Sequence, residues 1–247
     1  MIYHLRVTLA TAWRIIEQLW HDKRTIALMF LAPTLLMSLL YWIFSDNSKM
    51  FNLFGPALLG IFPFTVMFLV TSITTLRERI TGTMERLLAM PAGKLDIIIG
   101  YAIAFGLFGA IQSLITSSVA IYWLGLNVVG PQWFVVVVAL LDTLLGVALG
   151  LFVSAFARTE FQAVQFMPAL IFPQILVCGL FVPLDKLPDT LETIAYYLPL
   201  TYAVDALNGV VKNTDISAEM WRDVWAVAAF IVCALLVAGM TLKRKTK

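Results

Sequence analysis

Charge is scarce in this sequence. Only 13% of its 247 residues are Asp, Glu, Lys or Arg, against about 25% in soluble domains, while 61% are hydrophobic. A single water-facing core cannot absorb that apolar excess, so a membrane protein is the expected class. Cysteine and histidine are also rare, two of each. Cys178 and Cys233 sit inside apolar runs, where thiols act as small hydrophobes. His4 and His21 have no cysteine or carboxylate cluster at ligand spacing. Neither a disulfide nor a metal centre is expected. A phosphate-binding loop is missing too. Lys94 follows Gly93, but Leu88 stands where the first glycine is needed and Leu95 replaces the Ser or Thr. The chain is therefore expected to hold no ATP site and to be no enzyme. No signal peptide is expected, because the first 24 residues mix charge with apolar groups and no short apolar run with a cleavage site follows.

What is present are long greasy runs. A helix crossing the hydrocarbon needs about 20 mostly apolar residues, and six segments qualify, near 25–44, 53–75, 97–124, 133–156, 161–182 and 224–242. The fourth begins with four valines, like a buried strand, but is too long for one, and its glycines suit helix packing in lipid. The expected fold class is an all-α integral membrane protein. All but four of the 17 lysines and arginines fall on one side of these spans, the four being Lys49, Lys186, Lys212 and Arg222. Basic residues mark the cytoplasmic side, so both termini, residues 76–96 and the basic tail 243–247 are placed inside. The expected location is the plasma membrane of a bacterium or archaeon, and nothing suggests a nucleic-acid partner.

Two segments outside the spans carry a helical pattern. In residues 1–24, Ile2, Leu5, Leu9, Trp13, Ile16 and Trp20 recur at three- and four-residue spacing, which predicts an amphipathic helix lying on the inner lipid surface or meeting a cytoplasmic partner. Residues 188–211 predict two short external helices. Pro188 starts the first, Pro199 breaks it, and Thr201 caps the second. Both are too short to span, and their leucines would sit in the outer leaflet or dip into it.

The stretch LRERITGTMERLLAMPAGKLD, residues 76–96, interrupts the apolar pattern with mixed charge. Gly82 permits a sharp turn. Thr83 is a candidate N-cap, Glu85 suits the first turn, and Met84, Leu87 and Leu88 make one apolar face. Pro91 and Gly93 stop the helix. The pattern writes a short helix over about 83–90, across the chain direction, with one greasy and one charged face. A solvated loop would account for the charge but not for the stripe.

RERITGTMERLLAMP closely resembles the cytoplasmic motif of type-2 ABC exporter permeases, at Arg77, Glu78, Gly82, Thr83, Glu85, Leu87 and Pro91. Residues 167–207 resemble the same family's fifth span, external proline-rich turn and Pro-Leu-Thr-Tyr segment. Asn208 departs from it, standing where the family often has arginine. The resemblance implies a permease subunit of an ATP-driven exporter. Its partners would be a cytoplasmic ABC ATPase carrying ATP and Mg, and a second permease subunit, a like copy before an unlike one. Arg77, Glu78, Gly82, Thr83, Glu85, Arg86 and Pro91 would couple to the ATPase. Pro183, Pro188, Pro199, Thr201 and Tyr202 would shape an external gate.

Polar groups within the spans are few. Asp142 is the one acid near the middle of a span, where a charge costs at least about 2.5 kcal/mol. With Gln112, Gln165, Gln174 and Phe172 it is a candidate for the translocation path, or else it holds helices together. Its presence keeps an ion-coupled secondary transporter open as the alternative. The cargo is expected to be hydrophobic or amphiphilic, a drug or lipid, with lipid-linked glycan, peptide or ion as alternatives.

Overall fold

The computed structural model describes residues 2–89 and 93–241. Six of its helices are long and apolar enough to cross a membrane. Helix α1 (Ile2–His21) precedes the first of these, α2 (Lys23–Ile43). Asp22 joins them, its carboxylate accepting from the Thr25 N–H at 3.2 Å and the Thr25 hydroxyl at 2.6 Å. This caps orphan donors of α2, and those two bonds hold the Asp22 carboxyl below its usual value.

The second span is the outlier in length. Helix α3 (Ser48–Ile80) runs for 33 residues, about 50 Å at 1.5 Å per residue, well past a hydrocarbon core of about 30 Å. A short helix, α4 (Thr83–Ala89), follows. Then come α5 (Lys94–Ser118), which ends in a π-helical turn at Val119–Trp123, and α6 (Gln132–Ser154). The fifth span is broken as its two prolines predict. It consists of α7 (Glu160–Phe166), a π-helical turn at Met167–Ile171 containing Pro168, and α8 (Phe172–Val177) containing Pro173. Proline lacks the N–H that an α-helix needs, and the wider turn absorbs the break. Two short helices, α9 (Asp189–Ala195) and α10 (Pro199–Lys212), lead to the last span, α11 (Ala218–Thr241).

Helices α3, α5 and α6 form the inner layer, while α2, the fifth span and α11 keep most of their surface outward. The tightest contact is the α3–α6 seam. Both helices run in the same direction, and their residues meet in register. A Cβ on Gly146 would lie 2.3 Å from the Phe64 carbonyl oxygen, and one on Gly150 would lie 2.7 Å from that of Phe68. Only glycine allows this backbone-on-backbone approach, the mode by which helices associate where lipid removes the hydrophobic drive.

Helix α1 uses two faces. Ala12, Ile15 and Leu19 are buried in a cluster with Ile97, Ile98 and Tyr101 of α5. The stripe read from the sequence lies to the side of this face: Ile16 packs against the cluster, while Leu5, Leu9, Trp13 and Trp20 are more than half exposed.

Candidate coupling region and the polar groups of the bundle

The C-terminal end of α3 carries Arg77, Glu78 and Arg79 in succession. Helical residues point about 100° apart, so each reaches a different neighbour. Arg77 makes a bidentate pair with Glu160 of α7, at 2.6 and 2.9 Å. Glu78 accepts two bonds from Arg14 of α1, at 3.1 and 2.8 Å, and a short bond from the Tyr101 hydroxyl of α5. Arg14 also donates to the Tyr101 oxygen at 3.0 Å. Arg79 donates to the Ser154 carbonyl, closing the C-terminal end of α6 where a cation is favoured. Three adjacent residues thus join α3 to α1, α5, α6 and α7.

Glu78 is only 4% exposed, so it acts within the chain. Its carboxylate also holds the Arg14 guanidinium. Burial lowers the pKa of Arg14, but the hydrogen bond to Glu78 and the nearby negative groups leave it raised overall. Arg14, Tyr101 and Glu160 were not singled out from the sequence. They lie 64, 23 and 83 residues from their partners, beyond any local pattern.

After Ile80 the chain turns at Gly82, whose φ is +78°, a value that suits glycine. The Arg86 N–H donates to the Gly82 carbonyl at 3.2 Å. Gly82 therefore holds the capping position and Thr83 is the first residue of α4, which starts one residue earlier than a Thr83 cap would place it. The Thr83 oxygen instead lies 3.3 Å from that of Thr81. Met84 and Leu88 are buried against the α1–α5 cluster with Leu87 packed beside them, as the stripe predicts. Glu85 and Arg86 face outward. Pro91 and residues 242–247 lie outside the described residues. A cavity of 420 Å³ opens beneath α4, lined by Leu76, Arg79, Met84, Glu85, Leu88 and Arg158 among others.

On the opposite side Pro183 precedes a 3₁₀ turn at Leu184–Lys186, Pro188 precedes α9, and Pro199 is the first residue of α10. Thr201 therefore sits inside the first turn of α10 and not at its cap. Its buried hydroxyl has no partner among the described residues. The Tyr202 hydroxyl donates to the Tyr196 carbonyl at 2.7 Å, tying α10 to the end of α9. These segments surround a cavity of 460 Å³ lined by Cys178, Asp185, Glu192, Tyr196, Asp205, Asn208 and Lys212 among others. Burial pushes the Asp205 carboxyl up.

The candidate path residues do not gather in one place. Gln174 links the fifth span to α10, donating to Leu170 O at 2.9 Å and accepting from the Leu200 N–H at 3.5 Å. Gln165 and Phe172 lie on the outward face of the fifth span. Gln112, fully buried in α5, donates to the Met29 carbonyl at 2.7 Å. That carbonyl is the one left without an intrahelical donor by Pro33. Asp142 is fully buried in the α3–α6 seam.

With this geometry in view, comparison with known proteins is informative. The pattern of the ABC-2 type transporter family matches residues 6–211. The chain belongs to the ABC-2 type transporter family. It is 25% identical over 209 residues to the probable multidrug ABC transporter permease YbhS of Escherichia coli K12, covering 84% of this chain and 54% of that protein. It is 30% identical over 157 residues to the linearmycin resistance permease protein LnrN of Bacillus subtilis, covering 61% of this chain and 40% of that protein. It is also 25% identical over 205 residues to ABC transporter G family member 20 of Dictyostelium discoideum, covering 82% of this chain and 28% of that protein. The chain thus spans about half or less of the length of these relatives. The ABC-2 match takes in α1 from Arg6 onward, the Arg77–Arg79 cluster, α4 and all of α10 except its last residue.

Proposed function

We propose that this ABC-2 family chain is the permease subunit of an ATP-driven exporter. A separate cytoplasmic ATPase would dock on α4 and drive the transport of a hydrophobic or amphiphilic cargo. The observation that carries this reading is the construction of the cytoplasmic end. Helix α4 presents Glu85 and Arg86 outward while Met84 and Leu88 anchor it inside. Immediately before it, the Arg77–Glu78–Arg79 cluster joins α3 to four other helices. A push on α4 is therefore passed to the whole inner bundle and not absorbed by a loose loop. Relatives named as a probable multidrug permease and a linearmycin resistance permease support a drug-type cargo.

In this reading Glu85 and Arg86 are the surface contacts and Gly82 sets the angle of α4. Glu78, buried, transmits motion and does not touch the ATPase. The second subunit, a like copy, would sit along the fifth span, so that Gln165 and Phe172 face a path completed between two chains. Pro183, Pro188, Pro199, Thr201 and Tyr202 would form its external gate. Positive charge places α4 and both termini on the cytoplasmic side of the plasma membrane. ATP and Mg would be held by the ATPase, and the ABC-2 match favours this motor over an ion gradient.

The test is co-purification in mild detergent, followed by an ATPase assay. The unmodified chain should bring down a P-loop ATPase, and Glu85→Arg should lose it with no change in the permease's melting temperature. A permease that purifies alone and without ATPase activity, in both forms, would reject the reading.

A further inference from the structure

The α3–α6 seam holds a group that the coupling mechanism does not use. Asp142 lies one helical turn before Gly146 on the face of α6 that meets α3, and is 0% exposed. Opposite it is Gly60. A Cβ there would come within 2.7 Å of Asp142 Oδ2 and 2.8 Å of Leu207 Cδ1. The space that a side chain of α3 would fill is thus taken by the carboxyl of α6 and covered by α10. Neither carboxyl oxygen has a hydrogen-bond partner among the described residues.

The surroundings offer no charge. On the α3 side Ala57, Ile61 and Phe64 lie around Gly60, and on α10 Ala203, Val204 and Leu207 are buried and apolar. The charged residue of α10 in this region, Asp205, instead lines the external cavity. The Cys178 thiol, buried in one cluster with Ala57, Ile61, Phe64, Ala203 and Val204, donates to Ile175 O at 3.3 Å. An ionised carboxylate left here without donor or counter-ion would cost several kcal/mol. A bound cation removes that cost, but a metal ion requires several oxygen ligands, and the neighbours of Asp142 are mostly aliphatic. A proton requires only the carboxyl itself.

The external cavity of 460 Å³ approaches this cover from outside, lined by Cys178 and by Asn208, the residue after Leu207. We propose that Asp142 is a proton-binding site, closed by Gly60 and Leu207 in this packing, that exchanges its proton with the outer side when α10 moves away from the seam. The carboxylate takes one proton from hydronium, leaving water, and gives it back to water when the seam opens; one O–H bond breaks as the other forms, with no redox step. The site does not depend on which motor moves the bundle, so its failure would leave the ATPase reading intact.

Infrared spectroscopy of the purified full chain in phosphatidylcholine vesicles tests this. The unmodified protein should show the C=O stretch of a protonated carboxylic acid, shifted in D₂O. Asp142→Asn should lose that band and keep its melting temperature, because a neutral amide has the shape of a neutral acid. Gly60→Ala should shift the band by displacing the carboxyl. In the unmodified chain, dicyclohexylcarbodiimide should label the peptide containing Asp142, and labelling should fall as pH rises. This second readout holds even if the variants fail to fold. A spectrum unchanged by Asp142→Asn, absence of the labelled peptide, or a band that responds to sodium at constant pH would each overturn the proposal.

Discussion

At the C-terminal end of α3, three charged residues in a row each find a partner on another element. In the α3–α6 seam a single acid, Asp142, finds none. The two regions are parts of the same pair of helices, so the difference is not one of scaffold. It follows from what each location can supply. Near the water boundary, long side chains reach across and satisfy one another, and charge serves as a fastener. Inside the bundle the fastening is done by glycine, through backbone contact, and the Asp142 carboxyl makes no hydrogen bond among the described residues. A charged residue with every bond made is read as architecture, and one with no bond made is read as a site.

That contrast can be broken from either side. Glu78→Gln should have the largest effect, because it weakens a hub that holds Arg14 and Tyr101 together. Removing one partner of a buried pair costs about 3–5 kcal/mol, and Arg14 is about one-third exposed, so a loss of about 2–3 kcal/mol is expected. SDS-induced unfolding of the purified chain would measure it, and an Arg14→Gln, Glu78→Gln double cycle should recover much of the loss. A substitution at the seam comes second. Gly146→Ala forces a methyl into the Phe64 carbonyl and should cost about 1–3 kcal/mol, as overpacking does, although neither residue is charged. The smallest effect should come from Arg77→Gln. Its pair with Glu160 is about half exposed on both sides, and exposed pairs contribute about 0.2–1 kcal/mol. High salt should reduce the Arg77–Glu160 contribution and leave that of Gly146 unchanged. If Arg77→Gln proved as damaging as Glu78→Gln, burial would not be what separates these charges.

Much of the fold was legible in the sequence, because lipid imposes a length and an apolar content on every crossing helix. The six spans follow from that alone, and the break in the fifth follows from Pro168 and Pro173. What could not be read was which residues meet. The length of α3 depends on Arg14, Glu160 and Ser154 being there to receive its charged end, and a pattern within α3 does not contain them. For the same reason the burial of Glu78 against Arg14 and Tyr101 could not be read. Charge is visible in a sequence, whereas the partner that buries it is not. The caps moved by one residue at α4 and by three at α10 for a more local reason. Gly82 and Pro199 satisfy the geometry of a first turn without a side-chain cap, so Thr83 and Thr201 were left inside their helices. The second face of α1 was missed because Thr8, Thr11 and Ala12 are too small or polar to register as a stripe, yet they suit close approach to α5.

The bond from Gln112 to the carbonyl of Met29 has a consequence for how the chain is made. The first span leaves the ribosome with a backbone acceptor that Pro33 has stripped of its donor. In the lipid core no water is available to replace it. Its donor is encoded 83 residues later, so the first helix completes its own hydrogen bonding only after the third has entered the membrane beside it. The insertion machinery must hold the first span, or leave it in contact with water, until then. The order of synthesis is therefore written into one amide.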